Sequence, residues 1–436
     1  MILIYCPKIT NRIRYIFNLI LKDVIGVEAI EFTTNEQKFE SYQGVKISYH
    51  SHPISDELFF LSKSLLFEND IRDYDIEVSE WEGHKIFFQT NKTSALPFDP
   101  FSSAFFLLSR YEEYLPHIKD DFQRYTAEES LAFQKGFLEK PVINHWCEKI
   151  KMLLKSKYPQ LHFLPREFKF ISTIDIDNAY AYKEKGFVRT MAGLIRAAFN
   201  LRMDEVFQIL KVISGNQPDP FDTYDYQLSV QKKYKLDVIY FILLADYGIN
   251  DKNVLVQSRK FQSLIKSLAD YSEVGIHPGF NSNKSVKKLK EELNRLEIIL
   301  NREVFKSRQH FLKLILPETY RGLIDLDITD DYTMGYTSKI GFRAGICSSF
   351  NFYDLDLDIE TKLKIHPFSI MDATLKYYMK LRPEIAMDYI IPIINEVKAV
   401  NGTFISIWHN DSLSNDKNWK GWQYVYEEMV KYASSK

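Results

Sequence analysis

The run Phe170-Ile171-Ser172-Thr173-Ile174-Asp175-Ile176-Asp177 decides how this chain is read. Apolar and β-branched residues lead to two carboxylates one residue apart, and the pattern stops at Asn178. A strand buried in a parallel sheet reads this way, with its acidic pair where the chain leaves the core. Two carboxylates in such a place are costly unless a cation or a shared proton compensates them. Taken alone, a strand end followed by an Asx turn is the simpler reading. The balance changes because further strand-like runs downstream also end in ligand-capable residues.

From Phe168 onward strand and helix alternate. Leu236-Asp237-Val238-Ile239-Tyr240-Phe241-Ile242-Leu243-Leu244 is the continuous apolar run of a strand covered on both faces. A helical stretch over about 254–269 precedes the short strand Glu273-Val274-Gly275-Ile276-His277. Ser285 then caps an amphipathic helix whose buried stripe is Val286, Leu289, Leu293, Leu296 and Leu300. Residues 304–310 form a strand and its exit, and residues 402–409 form another. Repeated units of this kind predict an α/β protein with a parallel sheet or a (β/α) barrel. Residues 180–219 break the rhythm with two helices, about 188–201 and 203–213, expected to roof the mouth where catalytic loops gather.

Residues 1–165 mix short strands with helices and read as a smaller α+β domain of unknown function. A stretch with two prolines, Pro159 and Pro165, marks the expected boundary with a second domain, 166–436. Two domains also suit a length of 436 residues. A hydrophobic fraction of 45%, a charged fraction of 26% and a net charge of −2 describe an ordinary globular chain. That balance gives no electrostatic reason to expect nucleic acid or an anionic membrane as partner. Cys6, Cys147 and Cys347 are too dispersed for a disulfide framework or a cysteine zinc site, which suits a reducing compartment. With no signal-like or membrane-spanning segment in view, a cytoplasmic location is expected. His50 and His52 share a strand face but have no third partner, and read as exposed.

The strand ends carry Asp175 and Asp177, His277, Arg308 and His310, and His409. In parallel α/β folds the carboxyl ends of strands converge on one site. One histidine alone is more often a hydrogen-bonded structural residue; the joint placement is what predicts a metal and acid–base constellation.

These segments resemble the motifs of the polysaccharide deacetylases (the NodB-homology, carbohydrate esterase family 4 type). Thr173-Ile174-Asp175-Ile176-Asp177 resembles the first motif. Gly275-Ile276-His277-Pro278-Gly279-Phe280-Asn281 resembles the second, usually His-x-x-x-His. Ser307-Arg308-Gln309-His310 falls where the third, arginine-containing motif belongs, and residues 330–345 resemble the stretch after it. Ile405-Ser406-Ile407-Trp408-His409 resembles the last. The resemblance covers about 168–430, and the first region resembles an uncharacterised domain that precedes such units.

The resemblance implies a distorted (β/α) barrel and a metal-dependent hydrolase that removes N- or O-acetyl groups from a carbohydrate. It assigns Asp177 and His277 to a divalent metal, zinc by preference, and Asp175 as general base toward the attacking water. His409 would be the general acid, and Arg308 would hold Asp175 ionised and aimed. Phe280, Tyr180 and Asp331 are expected to contact the substrate. The sequence departs from the pattern at Asn281, where the second metal histidine belongs, and an amide oxygen is a weak zinc ligand. His310 is the favoured replacement, with Asn281 and His366 less favoured. Loss of that histidine also suits two other readings: an inactive barrel that binds a glycan or partner, and a metal-independent amidase of the same fold.

Overall fold

A computed structural model describes residues 1–435. Its first sheet contains β1 (Ile2–Tyr5), β2 (Ile30–Thr33), β3 (Val45–His50) and β4 (Leu58–Leu61), in the order β2-β1-β3-β4. All three pairings are parallel. The first region is therefore α/β rather than the α+β mixture expected. Helix Asn11–Phe17 forms the β1–β2 crossover, and parallel neighbours require such crossovers. A small antiparallel hairpin, β5 (Ser79–Trp81) and β6 (His84–Ile86), follows. Asp99 caps helix Pro100–Leu108 through the amides of Phe101 and Ser102. After that helix Arg110 adopts a left-handed backbone with φ 52°.

The second sheet has nine strands. They are β7 (Lys169–Ile176), β8 (Asp237–Ile242), β9 (Glu273–Ile276), β10 (Lys306–Ser307), β11 (Asp330–Asp331), β12 (Phe350–Asp354), β13 (Ile359–Ile365), β14 (Ile370–Met371) and β15 (Thr403–His409). Their order is β12-β13-β11-β10-β9-β8-β7-β15-β14, and only the β12–β13 pair is antiparallel. The sheet curls on itself. Phe368 N–H donates to the Met334 carbonyl beyond β11 at 3.1 Å, and Ser369 N–H donates to Ile405 of β15 at 3.0 Å. Side chains from both halves therefore meet inside: Ile239 and Phe241 of β8, Ile405 and Ile407 of β15, Tyr332 and Met371. This is the α/β barrel-like unit that the alternation predicts, with the intervening helices outside it.

Alternation along β7 places Ile171, Thr173 and Asp175 inward, while Ile174 and Ile176 join the larger core beneath the helices. In register, Asp175 lies beside His409 on β15 and Phe241 on β8. The strand and exit expected over 304–310 are a two-residue strand, Lys306–Ser307, after which the chain turns at His310–Leu312 with φ 59° at Phe311 and 50° at Leu312. The expected helices of the insertion are present as Phe187–Phe199 and Met203–Ile213. No helix among the described residues is long and apolar enough to cross a membrane.

Candidate metal and acid–base site

A cavity of about 190 Å³ opens at the carboxyl ends of the curled strands. Asp175, Asp177, His277, His310 and His409 line it together with Arg124, Phe311, Thr337, Met371 and Tyr378. Donor atoms of Asp177, His277 and His310 lie within 4.8 Å of one another. His277 Nε2 stands 3.1 Å from one Asp177 oxygen and His310 Nε2 stands 3.3 Å from the other. Asp177 remains one-third exposed (33%), so it faces the cavity, whereas both histidines are buried.

Each imidazole is held by its far nitrogen. His277 Nδ1 donates to the Arg308 carbonyl at 2.5 Å, and His310 Nδ1 donates to Asp251 Oδ1 at 2.8 Å. Such contacts fix the tautomer and leave Nε2 with a free lone pair. Two lone pairs then converge on the oxygens of one carboxylate, an arrangement that needs positive charge between them. Asp177 Oδ1 is itself buried and has no aligned hydrogen-bond donor. One carboxylate and two neutral imidazoles form the donor set that divalent ions such as zinc favour, so these residues fit a metal.

Protonation supplies the same charge when a metal does not. Burial opposes the ionisation of Asp177, but the His310 charge, the close approach of the His277 and His310 rings, and His409 outweigh it. They hold that carboxyl well below its usual range. Burial also works against the His310 cation; Asp177, aided by Asp251, overrides it and raises the imidazole to about 9. A bound cation would take the place of that proton.

On one side of the cluster, Asp175 accepts a hydrogen bond from Arg308 Nη1 at 2.8 Å, and both side chains are buried. Arg308 reaches across the barrel interior. It also bonds Thr173 Oγ1 and the Tyr332 carbonyl, and its guanidinium lies over the Phe241 ring at 4.5 Å. Gly275 makes room for that ring, since a Cβ there would come within 2.7 Å of it. On the other side, Asp372 grips His409 twice, at the backbone N–H and at Nδ1, each 2.8 Å. Nε2 is left pointing inward, 3.7 Å from Asp177. Burial disfavours the His409 cation, but the Asp372 charge and hydrogen bond, with Asp177 and Asp175, hold its pKa well above the ordinary imidazole value.

The structure thus gathers Asp175, Asp177, His277, Arg308, His310 and His409 and leaves other candidates outside. Asn281 is exposed at the start of a short helical turn and lines a different cavity with Asp251 and Glu292. Pro278 and Gly279 turn the chain, so residues 277 and 281 do not share a helical face. His366 pairs with Asp330 at 2.7 Å and stacks on Tyr332. Asp331, expected to contact the substrate, is instead fully buried. It accepts hydrogen bonds from Ser307 Oγ and from Thr333 N–H and Oγ1, which tie β10 to the segment after β11. Tyr180 packs edge-on against Tyr224 and does not line the cavity. Phe280 lies one layer back, against Phe311 and Lys313. The insertion stands beside the mouth rather than over it. Its inner face walls a neighbouring cavity of about 370 Å³ with Asn178, Tyr247 and Lys252.

Three contributors escape a sequence reading. Asp372 follows a strand of only two residues, too short for a pattern, although it repeats the apolar-then-Asp ending of β7. Asp251 lies in a polar loop. Arg124 comes from the first region, where nothing in the sequence points toward Phe311.

Residues 2–159 match a family model described as a family of unknown function, DUF7033. No curated protein matches the chain. Distant structural likenesses exist to proteins of the CE4 polysaccharide deacetylase group. The polysaccharide deacetylase Bc1974 from Bacillus cereus is 12% identical with a TM-score of 0.28, over 61% of this chain and 88% of that one. A probable polysaccharide deacetylase from Pseudomonas aeruginosa PAO1 is 10% identical with a TM-score of 0.39, over 63% of this chain and 90% of that one. Wild-type BA3943 from Bacillus anthracis, a CE4 family pseudoenzyme, is 10% identical with a TM-score of 0.30, over 62% of each chain. Likenesses this remote assign no reaction.

Proposed function

We propose that this protein is a hydrolase that holds a divalent metal, zinc by preference, and removes acetyl groups from a carbohydrate. One observation carries the reading: the Asp177, His277 and His310 donors converge within 4.8 Å, in a cavity whose walls also hold a guanidinium-paired carboxylate and an aspartate-braced imidazole. A binding scaffold has no use for an acid, a base and a metal-ligand set in one cavity. The acetylated carbohydrate rests on the resemblance of the motifs around these same residues.

When bound, the ion polarises the acetyl carbonyl and lowers the pKa of the attacking water. Asp175, kept ionised and aimed by Arg308, takes the proton that this water loses as its oxygen adds to the acetyl carbon. His409, whose cation the Asp372 carboxylate favours, gives its Nε2 proton to the departing nitrogen or oxygen as the bond to the acetyl carbon breaks. Acetic acid, which loses its proton to solvent as acetate, and a free amine or hydroxyl result, and the proton gained by Asp175 balances the one His409 donates.

The test is acetate release from a panel of N- and O-acetylated glycans by metal-loaded protein. The wild type releases acetate, and Asp175→Asn lowers the rate by roughly 10²–10⁴-fold with metal content unchanged. Equal release by the two proteins would remove Asp175 from the reaction.

A further inference from the structure

The helical hairpin beside the mouth turns its apolar side outward. In the first helix, Phe187 (80% exposed), Met191, Ile195 and Phe199 (87% exposed) recur at four-residue spacing on the open face. Leu201, 85% exposed, sits at the turn, and Met203, Phe207 and Leu210 continue the surface along the second helix. The opposite sides are the ones covered, through Ala197, Ile209 and Val212. A monomer seldom leaves so much contiguous apolar side chain in water. The hairpin is fixed at its base, because Asp219 accepts the backbone N–H groups of Ala181, Tyr182 and Lys183 at 2.8, 2.8 and 2.9 Å.

Charge indicates what covers this face. The whole chain carries −2, yet residues 183–213 hold six Lys or Arg against three Asp or Glu. Of these, Lys185 is buried and Arg189 is held by the carbonyls of Lys252 and Asn253; Arg196, at the edge shared with the neighbouring cavity, Arg202 and Lys211 are exposed, against the one exposed acid, Asp204. A second copy docked here would set the same positive excess against itself. An anionic lipid surface meets it with the opposite sign and accepts Phe, Leu, Ile and Met at the boundary of the acyl chains. The near-neutral overall charge of −2 conceals this local excess.

We propose that residues 187–213 dock the protein onto an anionic bilayer surface, lying in the interface rather than crossing it. This stands apart from the hydrolase reading and does not depend on it. Docking would set the mouth beside the lipid surface, since Asn178 at the base of the hairpin directly follows Asp177.

Vesicle flotation of the full chain tests the proposal. Phosphatidylcholine vesicles containing phosphatidylglycerol carry the wild type upward, and phosphatidylcholine alone carries much less. The combined variant Phe187→Ser, Phe199→Ser and Phe207→Ser reduces partitioning roughly tenfold or more, and Arg196→Glu with Lys211→Glu abolishes the preference for the anionic vesicles. All these side chains are exposed, and circular dichroism verifies that the variants fold. As an independent readout, Phe199→Trp fluorescence shifts to the blue on mixing with the anionic vesicles. Failure of the wild type to float, or equal flotation of the serine variant, would overturn the proposal. So would a dimer in light scattering that the serine variant dissolves, which would give this face to a second copy.

Discussion

At the scale of single residues, function is divided between groups that meet the cavity and groups that aim them. Asp372 is the clearest of the second kind, holding the ring and the backbone of His409 together. Its charge is the chief favourable influence on the His409 cation, which burial opposes. Asp372→Asn should therefore lower the His409 pKa, and the alkaline limb of the pH–rate profile should move to lower pH. An unmoved limb would mean that His409 is not the acid. The acidic pair of β7 and the histidines that end β9 and β15 were legible because each closes an apolar strand run. His310 was legible at the exit of a strand-like run, and its role as a ligand only as a replacement for the missing partner of His277. Asp331 misled for a physical reason: the end of a short strand can point into the core as readily as into the mouth. Asp251 left no trace and Asp372 only a short echo of the β7 ending, since a carboxylate that orients an imidazole needs only proximity, which spacing does not encode.

At the scale of elements, the turn His310–Leu312 bears the site's main structural cost. Phe311 and Leu312 both have positive φ, which costs a side-chain-bearing residue roughly 1–2 kcal/mol each. The first region holds this turn in place. Arg124, anchored by Asp120 at 2.7 Å, donates to the Phe311 carbonyl at 2.7 Å, and the Phe122 ring lies against Phe311. Arg124→Met should weaken metal binding about 10–100-fold by loosening His310. A titration with metal would show this, and unchanged affinity would contradict the strut. Strand and helix order within 166–436 could be read from periodicity, because buried parallel strands and amphipathic helices have distinct patterns. The two-residue strands β10, β11 and β14 could not, being shorter than any repeat.

At the scale of the molecule, one continuous apolar core runs from Ile2 to Ala433. Buried polar contacts fasten the two sheets across it. Glu113 pairs with Arg110 at 2.8 Å and with Arg343 at 2.6 Å, all three buried, and Asn144 joins Ser348 at 2.9 Å. Removing one partner of a buried ion pair strands the other charge, so Glu113→Ala should cost about 3–5 kcal/mol in urea denaturation. Burial raises the Glu113 pKa, but Arg343 and Arg110 outweigh it and leave it lowered on folding. Its stabilisation is therefore present above the unfolded carboxyl value and lost as pH falls through the folded one, and the gap between wild type and variant should narrow on acidification. This joining of the regions was invisible in the sequence, where the partners stand up to 230 residues apart. Hydrolysis at this cavity depends on one cation shared by residues from three separate stretches, Asp177, His277 and His310. Metal stoichiometry in His310→Ala and Asn281→Ala tests that most directly. One divalent ion per chain is expected in the wild type and in Asn281→Ala, and loss of that ion in His310→Ala. Full occupancy in His310→Ala, or loss in Asn281→Ala, would contradict it.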